Sequence, residues 1–298
     1  MKKYLFTGET KKIDYENIIV RRIRAIISFG NVNAGDLGGW IEKEENLSQE
    51  NNAWVYGDAE VYGNAKVYDD AKVYDDAKVY GNAEVWNNAK VYDAAKVYDD
   101  AQVCCNAGVC GNAKIYENAI IYGNAEICDN AWAYGNAQIY GDARISDNAE
   151  VCDYVKVYNH AEIFGSAEIC GDAKIYGNAE VYDNVVTCGN ARVYGNAKIH
   201  GNAEICDNAE IFSENHVFVA GPIGSQNDFA TFYRDKDSQI TVKCGCFLGK
   251  MDEFVKKIQL THGDSKYGLA YQAVILAAKF QINLTKATAE KNQERENV

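Results

Sequence analysis

Four histidines and ten cysteines are the side chains of this 298-residue sequence best suited to catalysis or metal binding, so their spacing is the first thing to weigh. Acyl transfer needs a base, normally His, beside a loop that closes the site. A catalytic zinc needs three ligands converging on an open position. His160 and His200 fall at different positions of a six-residue unit described below, and His216 and His262 lie beyond it. The cysteines contain no pair of CxxC motifs, the tightest groupings being Cys104-Cys105 and Cys244-Gly-Cys246. Asp69-Asp70, Asp75-Asp76 and Asp99-Asp100 carry the hard oxygens that calcium takes, yet they stand where a turn former is required. GCFLGKM (245–251) lacks the spacing and the hydroxyl of a phosphate loop. The expectation is no catalytic residue, no metal and no cofactor.

One constellation survives. Lys156, Lys174 and Arg192 recur every 18 residues, each followed two positions later by a tyrosine, Tyr158, Tyr176 and Tyr194. A basic strip interleaved with aromatics holds an anion or a nucleobase by charge plus stacking, or forms a protein interface rich in Tyr and Arg. The plainer alternative is that a tyrosine ladder covers the chain and long cationic stems pack over it. A second series at the same interval, Lys78, Lys96, Lys114, Trp132, Glu150 and Glu168, stacks like charges, which costs energy even in water. The cysteines Cys152, Cys170, Cys188 and Cys206 repeat at 18 as well, as do Cys110 and Cys128. Such a ladder can oxidise or bind metal, but stacked Cys also serves as a small apolar filler beside Tyr.

The element that positions these residues is a hexad. From Ala53 to Glu214, 27 units run without insertion, with Ala first in 25 and Val or Ile third in 25. Strand side chains alternate, so the first and third positions face inward and the second, mostly Lys, Glu, Arg or Gln, faces solvent. Gly-Asn, Asp-Asp or Asp-Asn closes each unit with residues that tolerate left-handed backbone. Three strand-and-bend units make a triangular coil of 18 residues, and nine coils at about 4.8 Å each give a rod of about 43 Å.

The unit resembles the hexapeptide repeat of left-handed parallel β-helices, where an aliphatic residue is followed four positions later by a small one, here Val55 to Ala59 and Ile199 to Ala203. The resemblance implies that fold. It also brings acyltransferases and the gamma class of carbonic anhydrases into view, although the repeat carries no projecting loop and no converging histidines. Tyr follows the aliphatic residue in 15 of the 27 units, a departure from the usual small or acidic residue. Proteins of this kind often trimerise, which implies a homo-oligomer with the terminal helices as one candidate interface.

Residues 1–46 lack the repeat and read as an N-terminal cap over the end of a left-handed β-helix spanning 47–214, because an open terminal rung invites end-to-end pairing. IIVRRIRAIISF (18–29) reads as a mostly buried strand. The C-terminal segment, 215–298, is α+β in character. VAGPIGSQND reads as a linker, and FATFYRDKDSQITVKC as a hairpin turning near Asp235 to Asp237. A first helix carries Met251, Phe254, Val255 and Ile258 and stops at Gly263. A second carries Leu269, Ala270, Ala273, Val274, Ala277 and Phe280, capped by Asp264 or Ser265. The polar tail from Thr285 reads as frayed. RIRAIISFGNVNAGDLGGWIEKEENLS and ITVKCGCFLGKMDEFVKKIQLTHGDSKY resemble the ends of uncharacterised β-helix proteins of phages and prophages of Gram-positive bacteria, a group with no settled activity.

A net charge of −13 disfavours bulk nucleic acid or an anionic membrane as the main partner. No export signal or membrane span is legible, so a cytoplasmic protein with reduced cysteines is expected, in the host cell if the chain is phage-encoded. The resulting expectation is an all-β solenoid acting as a non-catalytic, rigid binding protein. Its partner would be a host protein, in an anti-defence setting implied by the phage resemblance. The alternatives are a sponge for a nucleotide-like signal, a structural or assembly protein, and an acyltransferase-like enzyme.

Overall fold

Every hexad folds as a two-residue strand and a bend, and successive strands pair in parallel with the strand 18 residues on. In the computed structural model, which describes residues 2–13 and 17–285, the coil strands β4 to β30 run from Trp54–Val55 to Glu210–Ile211. They form three parallel sheets, the sides of a left-handed β-helix. Side 1 runs from Trp54 to Lys198, side 2 from Glu60 to Glu204, and side 3 from Lys66 to Glu210. The Ala and Val/Ile positions are fully buried in one continuous core along the shaft. Burying one Val or Ile contributes roughly 2 kcal/mol, so each coil adds its own share of stability and transfers little to distant coils.

The corners explain the bend residues. Every fifth position from Gly57 to Asp207 has positive φ, the left-handed region that L side chains pay to enter. A Cβ at Gly81 would stand 2.7 Å from the backbone nitrogen of Asp99 in the next coil, so stacking as well as φ favours glycine there. Where Asp takes the place, its carboxylate is used. Gly111 N–H donates to Asp93 Oδ2 at 2.9 Å, and Gly165 N–H to Asp147 Oδ2 at 2.9 Å. The Asp residues that suggested a cation site, Asp69, Asp75 and Asp99, accept the corner N–H of Asn87, Asp93 and Glu117. Sixth-position amides stack into ladders, with Asn106 Nδ2 donating to Asn124 Oδ1 at 3.0 Å.

Over the N-terminal end, β1 (Tyr4–Ile13), β2 (Ile18–Ala25) and β3 (Leu37–Ile41) form an antiparallel cap that continues side 2, because β3 pairs in parallel with Glu60–Val61. Coil stacking therefore begins with Trp40 and Ile41, and Leu47 bridges Val67 on side 3. The strand expected to be mostly buried is buried on one face: Val20, Ile23 and Ala25 are inside while Ile19 and Ile26 are exposed. Lys11 of the cap and Lys78 of the second coil both pair with Glu60, whose side chain is 2% exposed. That carboxylate neutralises the first member of the like-charge series, and Lys114 places its ammonium 4.2 Å from the Trp132 ring.

At the other end, β31 (Val217–Ile223), β32 (Asp228–Arg234), β33 (Ile240–Cys244) and β34 (Phe247–Lys250) form an antiparallel sheet in that order. The segment read as a linker is thus an edge strand. Its proline is accommodated where the register with β32 slips, between Ala220 and Ile223, and an edge strand needs no full ladder. Helices α1 (Met251–His262) and α2 (Lys266–Gln281) pack on the sheet, with Gly263 ending the first and Ser265 capping the second. The buried face of α2 is Gly268, Tyr271, Ile275 and Ala278, so Leu269, Ala270, Ala273, Ala277 and Phe280, expected in the core, point to solvent instead. Both faces of α2 are apolar, and the sequence period alone does not choose between them. Beyond Thr285 the tail read as frayed lies outside the described residues.

Candidate binding surface

Parallel pairing on side 3 sets Lys156 beside Lys174 and Lys174 beside Arg192, in register. All three point outward from two-residue strands whose inward partners, Val157, Ile175 and Val193, are fully buried. Among the described residues none of the three forms an ion pair. Tyr158, Tyr176 and Tyr194 line the adjoining corner, so all six residues singled out in the sequence are brought onto one strip.

Their geometry changes what the strip can do. Tyr140, Tyr158, Tyr176 and Tyr194 form a column of near-parallel rings with centroids 4.9 to 5.0 Å apart and planes within 1–4°. Each inner ring has a neighbour on both faces, so the column presents ring edges outward rather than open faces for a nucleobase. What remains to a ligand is cationic charge beside aromatic edges. The rings are held hard against the coil: burial, then Glu210, pushes the Tyr194 phenol up, and its hydroxyl donates to Glu210 Oε1 at 3.2 Å.

The column is sealed at its C-terminal end. The Phe212 ring follows Tyr194, the Arg234 guanidinium lies 5.0 Å from Phe212, and Arg234 pairs with Glu210 Oε2 at 3.0 Å. Arg234 is only 3% exposed, so Glu210 is bound up and does not cancel the charge of Arg192. Next to it opens a cleft of about 500 Å³ lined by Asn190, Arg192, Asn208, Ala209, Glu210 and Lys236. Lys236, contributed by the β32–β33 turn, extends the cationic run across the cleft. Sequence reasoning missed it, because nothing in the period ties residue 236 to side 3.

A second residue was missed for the opposite reason. Tyr154 occupies a sixth position, normally Asn or Asp, and is 62% exposed at the corner that enters side 3 two residues before Lys156. Its break with the hexad rule was visible in the sequence and is the signal that could have found it. Together Tyr154, Lys156, Lys174, Arg192 and Lys236 offer one open aromatic and four cations along three coils and the terminal cleft.

Of the remaining reactive groups, His160 shares the corner lined by Tyr158, whereas His200 and the cysteine column lie on other corners. His160 Nδ1 stands 3.4 Å from Asp142 Oδ2 at the corner that leaves side 3, with both side chains at least half exposed. His200 stacks on Tyr182. The cysteine column follows side 2. The expectation of free thiols holds for eight cysteines, whereas Cys110 and Cys128 are joined as a disulfide between adjacent coils. Their stacking at one fourth-position column brings the two sulfurs together, where the lack of a legible export signal leads to the expectation of reduced cysteines. Among the described residues no helix is long and apolar enough to cross a membrane.

Residues 137–153 match the family described as YdcK beta solenoid repeat. The chain is 40% identical over 62 residues to a protein of Escherichia coli strain K12 named uncharacterized acetyltransferase YdcK. That similarity covers 19% of this chain and 19% of the Escherichia coli protein, so it spans a small part of each. The stacked 18-residue coils and this repeat similarity agree on a hexapeptide-repeat β-solenoid.

Proposed function

We propose that the protein is a non-catalytic, rigid binding protein whose side-3 strip engages an acidic surface of a partner protein. The observation that carries this reading is the run of Lys156, Lys174 and Arg192 in consecutive coils, none in an ion pair among the described residues, beside an exposed Tyr154. A flat parallel sheet holds the backbone positions of the cations about 4.8 Å apart, so binding orders their side chains but not the backbone that carries them. Tyr and Arg at such a surface are the residue types that dominate interface energetics. The resemblance of the flanks to phage and prophage proteins supports a host defence component as the partner, met in the host cytoplasm. A nucleotide-like ligand remains compatible with the charge of the strip, though the stacked rings offer it little beyond Tyr154.

The test is affinity capture from bacterial lysate with the native chain and with Lys156→Glu, Lys174→Glu and Arg192→Glu combined. A partner retained by the native chain and lost by the triple variant supports the strip; equal retention by both sinks it. Mass spectrometry of small molecules released by heat distinguishes a nucleotide from a protein.

A second reading, acetyl transfer, is favoured by the name of the Escherichia coli relative and by the His160–Asp142 pair, in which a carboxylate orients an imidazole as a general base requires. The family match at 137–153 contains no histidine, so that match carries no base. Acetyl transfer from acetyl-coenzyme A to amine or hydroxyl acceptors, abolished by His160→Ala, would establish this reading over the first.

A further inference from the structure

On the corner after side 2, ring stacking runs as far as Tyr134, and four cysteines then continue the column: Cys152, Cys170, Cys188 and Cys206. Coil stacking brings fourth positions into vertical register, and Cys188 N–H donates to Ile205 O at 2.8 Å. At another corner the same register has already joined Cys110 to Cys128 across a Cα separation of 4.6 Å, inside the span a disulfide bridges. Within the side-2 column only one neighbouring pair is in comparable contact among the described residues. The Sγ atoms of Cys188 and Cys206 lie 2.7 Å apart, far closer than two sulfurs that merely fill space.

We propose that Cys188 and Cys206 form a reversible dithiol–disulfide pair, oxidised by a hydroperoxide, that clamps the terminal coil to the coil before it. The Cys188 thiolate attacks the terminal peroxide oxygen; the O–O bond breaks, Cys188 becomes a sulfenic acid, and the departing alkoxide or hydroxide takes up a proton. Cys206 then loses its proton and attacks the Cys188 sulfur, forming the S–S bond as the S–O bond breaks and water leaves. Two electrons pass from the sulfurs to the peroxide. The environment suits these roles. The hydrogen bond between Cys188 and Cys206 pulls the Cys188 thiol down to about 7 against burial and Asp207, with the Lys243 ammonium assisting. Cys206, 7% exposed, is the shielded partner that resolves rather than initiates.

The clamp falls where the C-terminal sheet is docked. Glu204 and Cys206 have no further coil to pair with, and their N–H groups donate instead to Thr231 Oγ1 at 2.9 Å and Tyr233 Oη at 3.4 Å. Lys243 pairs with Glu204 Oε2 at 3.0 Å. A bond from Cys188 to Cys206 therefore fastens the one coil that carries the C-terminal segment.

The experiment treats the reduced full-length protein with hydrogen peroxide, alkylates the remaining thiols and maps tryptic peptides. Arg192 and Lys198 lie between the two cysteines, so the bond appears as a linked peptide pair. Apart from the Cys110–Cys128 bond, the expected result is a dominant Cys188–Cys206 linkage that survives Cys152→Ser and Cys170→Ser and disappears in Cys206→Ser. Amide exchange over residues 203–211 should slow several-fold on oxidation in the native chain and stay unchanged in Cys188→Ser. A dominant Cys170–Cys188 linkage, oxidation at exposed Cys246 without any linkage, or unchanged exchange after linkage would each overturn the proposal.

Discussion

Tyr158 and Tyr176, 18 residues apart in sequence, lie face to face with ring centroids 4.9 Å apart and planes within 1° of parallel. Their stacking separates two roles that the sequence left merged. The tyrosines hold the coils together, and the cations beside them face solvent.

Tyr176→Leu removes ring contacts to both Tyr158 and Tyr194, and at about 0.5–1.5 kcal/mol per aromatic pair it should destabilise the protein by roughly 1–3 kcal/mol in urea unfolding. Lys174→Glu touches no such contact and should stay within about 0.5 kcal/mol of the native chain while abolishing partner capture. The reverse pattern would show that the cations serve the fold.

Two residues break the hexad rule at a cost that substitution should recover. Thr187 stands at a Val/Ile position, fully buried, and its hydroxyl has no partner among the described residues. Thr187→Val should stabilise by about 1–3 kcal/mol. Cys105 holds φ +62° at a corner where its neighbours are Gly, Asp or Asn, and Cys105→Gly should gain about 1 kcal/mol after the entropy of glycine is counted. Thermal unfolding of both variants is the measurement.

His216 is 2% exposed beneath Phe212, and its Nδ1 accepts the Phe212 N–H at 3.2 Å. Burial, then the Arg234 guanidinium, holds its pKa at about 4 against an ordinary 6.5. Between those values the unfolded chain binds a proton that the folded chain refuses, so stability contributed by neutral His216 is complete above pH 6.5. It is lost as pH falls toward 4, by roughly 3 kcal/mol. The junction of the last coil with the C-terminal sheet should loosen first. His216→Asn, which keeps an acceptor without titrating, should flatten the pH dependence of amide exchange there.

The outward face of α2 carries Leu269, Ala273, Leu276 and Phe280 at spacings of four, three and four, with Phe280 83% exposed. The four-three-four spacing of these apolar residues is that of a seam along which two helices pack. We predict a homo-oligomer by light scattering that Leu276→Glu with Phe280→Glu converts to monomer, with coil stability unchanged. A native chain that is monomeric at tens of micromolar would remove this interface.

The shaft was legible because every coil obeys the same local rules. Alternation puts Ala and Val or Ile inside, left-handed corners select Gly, Asp and Asn, and a strict period of 18 aligns like with like. Lys156, Lys174 and Arg192 could be placed side by side from that arithmetic alone. Whatever depended on contacts outside the period escaped it. Tyrosine rings close on each other instead of facing a ligand, Lys236 reaches side 3 from a distant turn, and α2 buries the face opposite the one its spacing favoured. Cys188 meets Cys206 more closely than Cys152 meets Cys170, although all four share one column. A repeat determines structure wherever a residue touches only copies of its own unit; at the ends and at the surface, where unlike segments meet, packing in three dimensions makes the choice.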